Sequence, residues 1–179
     1  HARHPDLRLH LFTRPASFDF RLEAIDAAIH FGEPDWPGAE LQRLCGEVLV
    51  PACAPAMQAE FGFTTPADLL RAPLLHQTTR PDAWERWFEA HGVDAGTIHG
   101  MLFDQFLTAA QAAAAGLGLA LLPEFLFAED LAAGRLVRAV PARVPSEGAY
   151  YLAWPAGRGD YPPLRAFRAW LLEEMAGAV

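Results

Sequence analysis

Acid–base chemistry needs titratable groups held together, and the candidates in this chain are His76 in "LLHQT", Asp19 in "SFDF" and Asp104 in "LFDQF". A histidine and two carboxylates could in principle move a proton, as a deaminase or dehydratase would require. They lie on three separate stretches, and no spacing draws them into one catalytic set. The other nucleophiles are sparse. All the basic residues are arginine, so Schiff-base chemistry and phosphate-loop lysines are absent. The serines are Ser17 and Ser146, and neither stands in G-x-S-x-G. Cys45 and Cys53 are eight residues apart without a C-x-x-C, which reads as two reduced thiols in or near strands. His1 and His4 have helical spacing but no third ligand close in sequence, and no metal is expected. The chain is therefore not read as an enzyme, and no cofactor is expected.

What the sequence does contain is a set of recognition groups at the ends of elements. The helix expected after Asp104 would present unpaired N–H groups and a positive dipole end, suited to a carboxylate or another anion. Asp104 is then either a plain N-cap or a contact, with Gln105 and Phe106 beside it. The stretch "IDAAIHFGEPDWPG" runs as a strand up to Phe31 and Gly32 and then enters a loop of turn-forming residues that holds a large indole, Trp36. Trp36 reads first as a packing anchor for that loop and second as a ligand contact.

These groups must be positioned by a chain of 179 residues, 52% hydrophobic, with a formal net charge of -8. That is enough for one domain or two small lobes. The charge would repel a phosphate backbone, so this chain alone is a poor nucleic-acid binder. No apolar run approaches the ~20 residues that cross a bilayer. The opening "HARHPDLRL" carries neither a leader nor a cleavage pattern, and no secretory signal is read in it.

Period-2 alternation of Leu7, Leu9 and Leu11 predicts a half-buried strand, followed by the loop "TRPAS" and a strand over residues 26–31. "ELQRLCGEVLVPACAP" predicts one or two long strands, the second bounded by Pro51 and Pro55. Thr65, Pro66 and Asp68 mark a short helix ending near Arg71. A strand over "LLHQT" precedes an amphipathic helix carrying Trp84, Trp87, Phe88 and His91 on one stripe. "IHGMLFD" reads as a strand, residues 105–115 as an alanine-rich helix, and "LGLALLP" as a strand buried on both faces. A helix over 124–133, a strand "RLVRAV", a proline-punctuated loop with Ser146 and Gly148, a strand "AYYLAW" and a last helix after Pro162 and Pro163 complete the chain. Leu164, Phe167, Trp170, Leu171 and Met175 would form that helix's apolar face. Strands alternating with helices predict an α/β fold with largely parallel sheets.

In order along the chain, "IDAAIHFGEPDWPG", "EVLVPACAPA", "TTPADLLRAPLLHQT", "FDQFLTAAQAAAAGLGLALLP", "DLAAGRLVRAV" and "YYLAWP...LRAFRAWL" resemble the C-terminal effector-binding domain of LysR-type transcriptional regulators. The resemblance is closest to the branch with the glycine-cleavage activator and the β-lactamase regulator. It implies a two-lobed α/β fold like a type 2 periplasmic binding protein, with a small molecule between the lobes. Lobe I would be residues 1–49 plus 152–179 and lobe II residues 50–151, with crossovers at "EVLVPA" and "AYYLAW". The family's N-terminal winged helix-turn-helix and the first strand of lobe I are absent from this chain, which opens on what resembles the tail of the first helix. Lobe I is thus expected to be incomplete at its N-terminus.

The resemblance further implies a cytoplasmic homodimer or homotetramer that meets DNA only through the missing module, with no membrane partner. Asp19 falls where the β-lactamase-regulator branch has a cleft aspartate, its alternative being a solvated loop acid. Phe31 and Gly32 would deliver a strand end to the effector, and Tyr151 is preferred over Tyr150 at the second crossover. His76 and Thr78 are further candidate liners after the lobe II strand. The rival reading is a solute-binding protein of a transport system on the same architecture.

Overall fold

The alternation of Leu7, Leu9 and Leu11 does not produce a strand. Residues 1–14 have no regular structure beyond a turn at His4–Leu7, and Leu9, Leu11 and Phe12 are exposed. A strand persists only where a neighbour pairs its backbone N–H and C=O groups, and among the described residues nothing forms a ladder with this segment. The computed structural model describes residues 1–14 and 16–176; Pro15, within the expected loop "TRPAS", and residues 177–179, within the expected lobe I range, lie outside the described residues.

The first strand is β1 (Ala28–Gly32), followed by β2 (Ala39–Cys53). Pro51 does not bound a strand as expected but sits inside β2, where its carbonyl still accepts a hydrogen bond from the Ala139 N–H at 2.9 Å. Pro55 opens an unexpected helix, α1 (Pro55–Phe61), because a ring-fixed φ suits the first helical turn. Gly62, at φ 59°, ends it. The segment after Thr65 is a 3-10 helix, Pro66–Arg71, and Asp68 accepts hydrogen bonds from the backbone N–H groups of Thr64 and Thr65 at 3.0 and 2.8 Å. Then come β3 (Leu74–Gln77), α2 (Ala83–Ala90), β4 (Met101–Phe103), α3 (Phe106–Ala114) and β5 (Leu119–Pro123). A 3-10 turn, Glu124–Phe127, leads into α4 (Ala128–Ala132) and the two-residue strand β6 (Val137–Arg138). The expected loop with Ser146 and Gly148 is instead part of a long strand, β7 (Val144–Pro155), and α5 (Pro162–Ala176) follows.

The chain divides into two compact units, His1–Glu47 with Glu147–Val179, and Val48–Ser146. In the first unit β1 pairs antiparallel with β7, from Ala28 opposite Ala153 to Gly32 opposite Ala149, and β7 neighbours β2. Leu152 and Trp154 of β7 pack on Leu164 and Leu171 of α5, with Phe167 and Met175 at the margin. Trp170, expected on that face, is exposed instead. A second cluster gathers Phe20, Trp36 and Ala153 with Phe18 beside them.

In the second unit the strand order is β2, β5, β3, β4, with β6 on β2. The expectation of a largely parallel sheet is corrected here. β3 runs parallel to β4 and β5, where helices return the chain, but β2 pairs antiparallel with both β5 and β6. Trp84, Trp87 and Phe88 of α2 are buried among Leu69, Leu74 and Leu119. Burying a Phe-sized side chain stabilises by roughly 1.5–3 kcal/mol. Across the same sheet, Ala109, Ala110, Ala112 and Ala113 let α3 lie close to Leu75, Ala120 and Leu122. No helix among the described residues is long and apolar enough to cross a membrane.

Candidate functional site

In the first unit Phe31, Gly32 and Tyr151 stand on the β1–β7 ladder, and Asp19 lies off it in a turn. Gly32 has φ 140°, a backbone angle L side chains rarely adopt, which lets the chain leave the sheet for the loop that follows. Phe31 faces Tyr150 across the strands, ring centroids 4.9 Å apart and inclined at 62°. Gly148 makes room for that pair, since a Cβ there would lie 2.9 Å from the Phe31 ring. The Tyr150 hydroxyl donates to Glu47 Oε2 at 2.9 Å, and Glu47 is buried. Tyr151 pairs with His30, so alternation puts it on the opposite face from Phe31 and Tyr150. It is half-buried there, on the side where His30 contacts Trp36.

Trp36 is an anchor for its loop. Its indole is buried against Phe18 and Phe20, at centroid distances of 5.1 and 5.2 Å, and Nε1–H donates to the Phe18 carbonyl at 2.8 Å. Asp19, between those two phenylalanines, turns to Arg21. Its carboxylate accepts Arg21 Nε at 3.0 Å, the second guanidinium nitrogen at 2.6 Å and the Arg21 backbone N–H at 2.9 Å. These side-chain and backbone bonds from Arg21 lower its pKa to about 2. Asp19 is thus an ionised acceptor already served inside its own turn.

In the second unit the remaining candidates lie at or just beyond the carboxyl ends of β3 and β4, with His76 on the face of the sheet opposite α3. His76 and Gln77 close β3 and are both buried. His76 lies against Gly100, where an added Cβ would fall 3.1 Å from Nε2 and 1.9 Å from the Leu74 carbonyl oxygen. Thr78 is exposed, its N–H donating to the Phe103 carbonyl at 2.9 Å. That bond ties the β3 exit to the start of α3. Asp104 is not the helix cap: the N-cap of α3 is Gln105, because the chain stays extended there (φ -133°, ψ 141°). No side-chain cap bond forms from Gln105, and Asp104 is exposed one residue too early. Phe106 is half-buried, with the Arg80 guanidinium 4.9 Å from its ring centroid.

Two features escaped the sequence reading. Glu47 was visible as a lone acid in the apolar stretch "CGEVLV", and its partner was taken as the less favoured of two tyrosines. Gln77 stands between His76 and Thr78, which drew attention as chemistry-bearing residues. A separate concave surface lined by Glu85, Glu89, Val93, Asp94 and Gly96 holds none of the candidate residues. Among the described residues no cluster of three or more His, Cys, Asp or Glu side chains is arranged to hold a metal ion.

Comparison with known proteins places these observations. The model of the LysR substrate binding domain matches residues 1–176. The transcriptional regulator TrpI of Pseudomonas aeruginosa is 39% identical over 97% of this chain and 59% of its own length. The glycine cleavage system transcriptional activator of Escherichia coli K12 is 32% identical over 85% of this chain and half of its own. The chain thus spans half to three fifths of the curated relatives it matches. Among solved structures, the effector domain of the transcriptional regulator AmpR of Pseudomonas aeruginosa superposes with a TM-score of 0.84 at 37% identity, covering 98% of this chain and 84% of that one. The AmpR effector binding domain of Citrobacter freundii gives the same TM-score at 30% identity over 98% and 87%. The fold is that of the type 2 periplasmic-binding-like effector domains, and the chain belongs to the family of LysR substrate binding domains.

Proposed function

We propose that this chain is the effector-sensing part of a LysR-type, DNA-binding transcriptional regulator, responding to a small molecule that carries a carboxylate. The observation that carries the reading is the match over residues 1–176 together with the 0.84 superposition on an effector domain of a transcriptional regulator. Each unit brings its own candidates: Asp19, Phe31, Gly32 and Tyr151 in the first, and His76, Thr78, Asp104, Gln105 and Phe106 in the second. Binding acts by shifting conformational populations, which requires only that the effector prefer one arrangement over another. Coupling that shift to DNA through a homodimer or homotetramer is allostery by linked equilibria, in the cytoplasm, with DNA held by a separate winged helix-turn-helix. The net charge of -8 supports leaving the DNA contact to another module. Catalysis is not part of this reading. Relatives named as transcriptional regulators favour it over a transport solute-binding protein.

A thermal-shift screen with amino acids, aromatic acids and cell-wall fragments tests it. A true effector at 100 times its dissociation constant adds about 2.7 kcal/mol of stability. Stabilisation by at least one carboxylic acid is expected. Turnover of a compound, or a response confined to compounds without a carboxylate, overturns the reading.

A further inference from the structure

A buried hydrogen-bond donor without a partner is costly, so a fold that keeps one keeps it for a reason. Gln77 is 7% exposed, and its Nε2 is buried with no hydrogen-bond partner among the described residues. It is the last residue of β3, at the carboxyl end of a strand flanked by parallel neighbours, where α/β sheets receive ligands. Alternation sends Gln77 to the same face as Leu75, and Leu75 packs with the alanines of α3. The amide therefore faces the side of the sheet that α3 covers. Gln77 pairs with Phe103, three residues before α3 begins at Phe106, so it lies level with the first turn of that helix. His76, one residue earlier, also has an unpaired buried Nε2, but it is on the opposite face and pressed against Gly100.

The start of α3 supplies donors to match. Gln105 makes no side-chain cap bond, the first turn contains no acid, and the Arg80 guanidinium lies over the Phe106 ring. Nine residues of helix direct their first-turn N–H groups and partial positive charge to this end. The nearest carboxylate in sequence, Asp104, is exposed and does not cap the helix.

We infer that Gln77 is a specificity-determining residue of the effector site, donating from Nε2 to an anionic oxygen that the first turn of α3 holds. This rests on the effector-domain reading above and deepens it: the group recognised in the second unit is an oxyanion, a carboxylate or a phosphate. An amide donor selects against ammonium and other cationic groups at this point, and it specifies an acceptor without adding charge to the core.

The test follows the side-chain amide pair of Gln77 in 15N–1H spectra, assigned by its loss in Gln77→Met. Sodium phosphate and sodium benzoate are titrated separately at constant ionic strength, with sodium chloride as the control. A saturable shift of this pair with phosphate, benzoate or both, but not with chloride, is expected, and the responding salt identifies the class of oxyanion. Gln77→Met keeps the length of the side chain, should melt no lower than the parent, and should bind the same salt about tenfold or more weakly. An amide pair that stays still, or equal affinity in Gln77→Met, overturns the inference. If metabolites from the thermal screen bind while the Gln77 pair stays still, Gln77 loses its role and the effector domain keeps its own.

Discussion

Trp36→Ala should open the loop between β1 and β2, and the cost can be worked from the structure. The indole is 7% exposed, so almost all of its surface leaves water on folding. Aromatic side chains bury roughly 150–250 Å² each, which at ~25 cal/mol per Å² is worth about 4–6 kcal/mol. Truncations of this kind measure about 3–5 kcal/mol once the cavity partly relaxes. Trp36→Phe separates the hydrogen bond from the bulk, because it leaves the Phe18 carbonyl without the N–H that reaches it at 2.8 Å. About 1–2 kcal/mol is expected for that change. Hydrogen exchange read by mass spectrometry on peptides covering residues 16–32 is the assay, with urea denaturation for the global value. Both variants should raise exchange in the Phe18–Phe20 turn, and effector affinity in Trp36→Phe should be unchanged within about threefold. A Trp36→Ala chain within ~1 kcal/mol of the parent, or a large loss of effector affinity in Trp36→Phe, would refute the assignment of Trp36 as a packing anchor.

Tyr150→Phe removes the hydroxyl that reaches buried Glu47, and chemical denaturation should show a loss of about 0.5–1.5 kcal/mol, the usual net contribution of a hydrogen bond. Gly100→Ala would drive a Cβ to 1.9 Å from the Leu74 carbonyl oxygen, so a melting temperature lowered by several degrees or failure to accumulate folded protein is expected. Burial raises the Cys53 thiol to about 11, so it should resist thiol-specific reagents at pH 8 and react at once in denaturant. Asp68 and Asp19 are both held below their ordinary value of 3.8, Asp68 chiefly by the Thr64 and Thr65 backbone N–H groups and Asp19 by Arg21. Their contribution is complete above that value and is lost as pH falls through the folded pKa, so Asp68→Asn should flatten the decline of the urea midpoint between pH 4 and pH 2.

The elements that sequence alone marked out are those whose signals are local. Trp84, Trp87 and Phe88 define α2 by their own spacing, and Leu119 to Pro123 read as buried because every residue there is apolar. The failures share a cause, which is that a partner decides the outcome. Leu7, Leu9 and Leu11 have the alternation of a strand and, among the described residues, no neighbour to pair with; Pro145, Ser146 and Gly148 look like a loop and are held in β7. The direction of pairing was equally hidden, since β2 and β5 run antiparallel although helices separate most strands. Among the candidate residues, the strand end at Phe31 and Gly32 was legible from an apolar run that stops at a glycine. The burial of Gln77 was not, because whether an amide is partnered depends on neighbours distant in sequence, and among the described residues none accepts from its Nε2.

β1 has a single neighbour among the described strands, and that neighbour, β7, is made more than a hundred residues later. On a ribosome adding about 5–20 residues per second, Ala28–Gly32 must therefore wait on the order of ten seconds before Ala149 to Ala153 emerge to join it. During that interval the intervening stretch can complete its own folding, while the opening strand stays available to nascent-chain chaperones.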